Sequence, residues 1–161
     1  MNSPYASDAE PLPEELVTFL MPITNKYLFL PNVTVAEIIH HRVPKQPDDM
    51  PTWYLGLLEW RGQKVPMVSF EALNDEPFQA GAQRQNIAVL NGISALEKLP
   101  FLAVLTQGAP RLLRITSEEI STIETEDKIG PAELMTVSAN GERASIPDLN
   151  FIESSILDLI G

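Results

Sequence analysis

Fourteen prolines are spread from Pro4 to Pro147 along a chain of 161 residues. Average usage is about 5%. Proline has no amide N–H, breaks helix interiors, and sits in sheets only at edges, strand ends and bulges. Punctuation this even is unsuited to a helical bundle. It suits short strands joined by tight turns.

The residues between the prolines bear this out. Leu16 to Ile23 and Lys26 to Pro31 are apolar runs split by Thr24-Asn25, the pattern of a hairpin. Val33 to Ile39 is rich in β-branched residues and reads as a strand. His40 to Thr52 is a loop carrying Pro44, Pro47, Pro51 and Asp48-Asp49. Tyr54 to Trp60 and Val65 to Phe70 form a second hairpin around Gly62, with a helical turn at Glu71 to Leu73. The polar stretch Asn74 to Gln85 is the candidate boundary between two halves. Ile87 to Leu90, Phe101 to Thr106, Arg111 to Ile115 and Glu133 to Ser138 continue the short strands. Asn140-Gly141 is the strongest short hairpin signal. The period then changes: Ile152, Ile156, Leu159 and Ile160 share one face of a terminal helix, with Asn150 and Glu153 spaced as a capping pair. Residues 1–13 read as a flexible acidic tail, and 14–161 as the folded domain. No exact sequence repeat is visible. The expected class is all-β with a short C-terminal helix, built as small barrels or a sandwich.

Composition narrows the chemistry. There is no cysteine, so disulfides, thiol nucleophiles and Cys-ligated metals are excluded. A net charge of −11, with 11 Lys and Arg scattered, disfavours nucleic acid and anionic membrane surfaces. No apolar run spans a bilayer and the N-terminus has no secretory pattern, so a cytoplasmic protein without membrane insertion is expected. The two histidines, His40 and His41, are adjacent and lack metal-ligand spacing. The 8 glycines form no phosphate-binding pattern. Among 22 Asp and Glu nothing singles out a catalytic pair. No cofactor or metal is implied, and the reading is a non-catalytic adaptor.

One segment is denser in signal than the rest. Gly56-Leu57-Leu58-Glu59-Trp60-Arg61-Gly62-Gln63-Lys64-Val65-Pro66-Met67-Val68 follows Val35-Ala36-Glu37-Ile38 across the Pro-rich loop. Arg61 stands at a hairpin tip, where a guanidinium can grip a partner carboxylate with paired hydrogen bonds. Gly56 inside a strand marks a bulge or a close backbone approach. A surface arginine and a packing glycine would account for both equally well. Taken together, however, the two segments resemble the CheW family of chemotaxis coupling proteins. That family's pattern is an upstream V-x-E-I, then G, R-G and P, then two aliphatic residues and Asp or Asn. Here Ser69 takes the last position. Phe101 to Ile115 and Ala144 to Leu157 extend the likeness to about residues 14–160. The length and divergent second half are similar to accessory, ChpC-like adaptors of twitching-motility systems.

The resemblance implies two small SH3-like five-stranded β-barrels sharing a hydrophobic core. The first would span roughly 25–80 and the second roughly 86–150, with the first strand crossing between them and a terminal helix at 150–160. It implies an adaptor bridging the cytoplasmic tip of a methyl-accepting chemoreceptor and the regulatory domain of a CheA-type histidine kinase. One barrel edge would take the kinase, and the groove between the barrels the receptor. Val35, Glu37, Gly56, Arg61 and Ile87 fall at partner-binding positions, although core packing accounts equally for Val35 and Ile87. Two other readings stay open: a ligand-binding β-barrel, marked by an enclosed apolar cavity, and a carboxylate enzyme, marked by converging acids with raised or split pKa values.

Overall fold

The computed structural model describes residues 15–45, 47–78, 85–124 and 129–161. The expected tail, residues 1–13, lies outside them, as do 79–84 of the expected boundary and 125–128 of the acidic run. In chain order the strands are β1 (Glu15–Pro22), β2 (Tyr27–Pro31), β3 (Val35–His40), β4 (Tyr54–Trp60), β5 (Gln63–Val68) and β6 (Asn86–Asn91). There follow β7 (Phe101–Thr106), β8 (Arg111–Thr116), β9 (Ile120–Thr122), β10 (Glu133–Ala139) and β11 (Glu142–Pro147). Helix α1 (Phe70–Leu73) follows β5, and α2 (Leu149–Ile160) follows β11.

The turn chemistry closes the hairpins as expected. Arg61 and Gly62 both take positive φ (48° and 74°), as do Asn140 and Gly141 (51° and 83°). Two-residue turns of this mirror-image type match the right-handed twist of the strands they join. Pro22 pairs with Tyr27 around the Thr24-Asn25 turn.

The strands form two sheets. One has five strands in the order β3-β6-β7-β5-β4; the other has six, β8-β1-β2-β11-β10-β9. Each repeats the same plan. A hairpin leads into a helix, and the hairpin's second strand pairs in parallel with a later strand in spatial order: β5 with β7, β11 with β2. In the second half that last hairpin comes from the chain's beginning. The sheets therefore divide the chain differently from the expected 25–80 and 86–150. β2 belongs to the six-stranded sheet, while β6 and β7 return to the five-stranded one. β1 pairs with β2 and β8 in the six-stranded sheet, and its last residue, Pro22, accepts from the N–H of Gln107 just beyond β7. It serves both halves through its alternating side chains. Leu20 enters the second barrel's core, and Met21 faces the core shared by the halves.

That shared core takes Leu28 and Leu30 of β2, Leu90 of β6, Leu102 of β7, and Ile152 and Ile156 of α2. The helices are capped from the residue before each. Ser69 accepts from the Ala72 N–H, and Asp148 from the Phe151 N–H. Ser69 thus does what Asp or Asn would do, since all three serve as N-caps. The expected Asn150–Glu153 cap does not form. Asn150 is inside α2, and Glu153 is buried, accepting from the N–H groups of Ile93 and Ser94 in the loop after β6.

Glu153 is one of three buried carboxylates that tie half to half. Glu71 on α1 accepts from the N–H and hydroxyl of Thr24 and from Gln107. Glu133 on β10 accepts from Asn74 (2.5 Å), Ser145 (2.5 Å), Lys26 (3.0 Å) and the Gly130 N–H (3.1 Å). Burial pushes the Glu133 carboxyl upward, but the donors Ser145, Asn74, Lys26 and Gly130 outweigh it and hold it at about 2.

Candidate functional site

In the five-stranded sheet β3 and β4 are the end strands, and no ladder joins them among the described residues. The sheet curls until these ends face one another, and side chains bridge the gap. On β4, Leu58 and Trp60 point inward while Glu59 is exposed. The Trp60 ring packs edge-on against Phe101 at 4.8 Å between centroids. Its indole N–H, at the rim of the barrel, donates to Oε1 of Glu37 on β3 (2.7 Å). A buried indole N–H needs such an acceptor.

Arg61 is the next residue. Its positive φ turns the chain so that the guanidinium folds back over the Trp60 ring, 4.8 Å from its centroid. Arg61 Nη2 then lies 3.4 Å from the same Glu37 oxygen, and the Arg61 side chain keeps 65% of its surface exposed. Glu37 and Arg61, distant in sequence, are thus brought together on an exposed corner. The corner offers a carboxylate oxygen to donors and guanidinium N–H groups to acceptors.

The other expected residues occupy different surroundings. Val35 is half-buried at the start of β3, packed against the shared core beside a bulge that lies between it and Glu37. Gly56 is buried on β4 at a second bulge, with φ of 126°, a conformation L side chains rarely adopt. Ile87 is 0% exposed in the core of the first barrel, beneath the sheet. Gly56 and Ile87 are interior positions and form no part of the exposed corner. Trp60 is the residue that sequence reasoning missed. Its signal was present as an aromatic donor directly before a hairpin-tip arginine.

The barrel interiors are filled. Val65, Met67, Ile87 and Leu105 in the first, and Leu20, Ile115 and Val137 in the second, are each no more than 1% exposed. A cleft of about 330 Å³ between the halves is polar, lined by Lys26, Asn74, Glu76, Glu133 and Arg143 among others. Its buried acid, Glu133, is shifted downward, opposite to a general acid's needs. No helix among the described residues is long and apolar enough to cross a membrane.

Comparison with known proteins bears on the family and the fold. The family model of the CheW-like domain matches residues 18–155. The chain belongs to the CheW-like family. The crystal structure of the scaffolding protein TtCheW from Thermoanaerobacter tengcongensis superposes with a TM-score of 0.68 at 12% identity, covering 84% of this chain and 89% of that one. The CheW-like fold of two SH3-like barrels is therefore shared despite low identity. No curated protein sequence matches the chain. Proteins of the CheW-like family are non-enzymatic scaffolds, and this chain is one of them.

Proposed function

We propose that this CheW-like domain is a cytoplasmic adaptor of a bacterial chemosensory system, bridging the cytoplasmic tip of a methyl-accepting receptor and the regulatory domain of a CheA-type histidine kinase. The observation that carries the reading is the corner of Glu37 and Arg61. Two charged residues at family positions meet on an open surface, with the guanidinium still free to bind. Val35 stands next to it on β3, where the first barrel borders the shared core. On this reading the receptor fragment docks against the corner. Gly56 and Ile87 contribute from beneath, by fixing the course of β4 and β6.

The reading is tested by titrating purified domain with a receptor cytoplasmic fragment and, separately, with the kinase regulatory domain. Binding of each at micromolar concentration supports it. Arg61→Ala is expected to weaken the receptor contact about tenfold, or about 1.4 kcal/mol. The thermal midpoint should move by no more than about 3 °C, because an exposed ion pair contributes about 1 kcal/mol or less. Binding of neither partner overturns the reading.

A further inference from the structure

We infer that Trp60 is the positioning residue of this corner: it holds Glu37 and Arg61 apart so that both stay available to a partner. The inference rests on the reading of the corner as a binding surface and adds what keeps that surface open.

A carboxylate and a guanidinium this close normally form a short, paired contact with N···O distances of about 2.7–2.9 Å. Here the approach is 3.4 Å and single. Trp60 explains both features. Its indole N–H takes Glu37 Oε1 at 2.7 Å, occupying the oxygen nearest Arg61. Its ring takes the face of the guanidinium at 4.8 Å, which fixes the plane of the donors. The ring cannot follow either group outward, because Phe101 packs edge-on against it and the rest of the side chain lies in the first barrel's core. An exposed ion pair of this length would not orient its own members, being weak and screened. The orientation comes from the buried ring.

The arrangement specifies the partner's chemistry. With Glu37 Oε1 taken by the Trp60 N–H, the carboxylate's second oxygen suits a partner's donor, and the largely exposed Arg61 guanidinium beside it suits an acceptor. A surface carrying an acidic and a basic side chain side by side fits both. A purely acidic segment would meet the Glu37 carboxylate. Trp60 also joins strands at opposite ends of the sheet order, so the corner's geometry is set by closure of the barrel.

Trp60→Phe keeps the ring and removes the donor. Glu37 and Arg61 are then free to satisfy each other. Receptor-fragment binding is measured by calorimetry for the wild type, Trp60→Phe, Glu37→Gln and the double variant. The expected result is about tenfold weaker binding for Trp60→Phe, with the double variant no weaker than Glu37→Gln alone. A ring that merely supported the fold would give additive losses instead, and additive losses overturn the inference. So does unchanged binding by Trp60→Phe where Glu37→Gln is impaired.

A partner-free measurement separates this inference from the adaptor reading. The chain has 2 tryptophans, so two indole N–H signals appear in a nitrogen-edited NMR spectrum, and Trp60→Phe assigns its own. Glu37→Gln should shift that signal and speed its exchange with solvent. An unmoved, equally protected signal overturns the positioning role whatever binds the domain. Loss of binding in all arms with the shift present overturns the adaptor reading instead.

Discussion

Acid should loosen the junction between the two halves, and the amount can be worked from Glu133. Its folded-state pKa is held at about 2 against an ordinary value of 4.5. A depressed carboxyl stabilises the fold where it is ionised in both states, above pH 4.5, and that contribution fades as pH falls through 4.5 towards 2. The difference of about 2.5 units, at 1.36 kcal/mol each, is about 3 kcal/mol. The side chain is only 5% exposed, so solvent screening removes little of it. Other acids also titrate, so the comparison needs Glu133→Gln, which mimics the protonated group. Urea unfolding of both proteins, followed by tryptophan fluorescence from pH 7 to pH 2, isolates the term. The wild type should be more stable than the variant by about 3 kcal/mol at pH 7, and nearly equal at pH 2. A stability difference that stays constant across this range would refute the assignment of Glu133 as an ionised clasp.

Three further outcomes are expected. Ser69→Ala should cost about 1 kcal/mol in urea unfolding, through loss of the α1 cap, whereas Ser69→Asp should retain the wild-type value. Gly56→Ala should cost about 2 kcal/mol, because φ of 126° strains any L side chain, and a thermal melt would show it as a lowered midpoint. Glu153→Ala leaves the N–H groups of Ile93 and Ser94 without their acceptor; hydrogen exchange in that loop should accelerate while the α2 core residues Ile152 and Ile156 keep their protection.

Local signals made the strands legible, and partner choice was not. Thr24-Asn25, Arg61-Gly62 and Asn140-Gly141 mark their hairpins because a tight turn depends on its own residues. Which strand lies beside β6 depends on residues far along the chain. Asn74 to Gln85 looked like a boundary because it is polar and contains Pro77, yet β6 beyond it rejoins β3 and β7 in the first sheet. β9 escaped notice because its three residues are largely exposed and carry no alternation. The duplication of the two halves lies in topology, with the second half completed by β1 and β2, so no repeat shows in the order of residues. Its local traces are the caps Ser69 and Asp148, each at the helix after its hairpin, and the matching turns Arg61-Gly62 and Asn140-Gly141.

The site was legible in its charges and not in its organisation. Glu37 and Arg61 emerged from the resemblance, and the structure brings them together. Ile87 was drawn from the same source, but its full burial makes it part of the barrel core. Trp60 was read only as a strand residue, because sequence shows the hydrophobic ring and hides where the N–H points. Nothing in the pattern of acids singles out the buried ones, and Glu153 reads as part of a helix cap. Three acids, Glu71, Glu133 and Glu153, turn inward to fasten loops that no local pattern relates.

The most direct test of the adaptor account is sedimentation velocity on a three-component mixture of this domain, a receptor cytoplasmic fragment and a kinase regulatory domain. The account predicts a boundary containing all three proteins, which disappears when the domain is omitted and shrinks for Arg61→Ala. Receptor fragment and kinase domain sedimenting together equally well without this chain, or the chain sedimenting alone beside them, would contradict it.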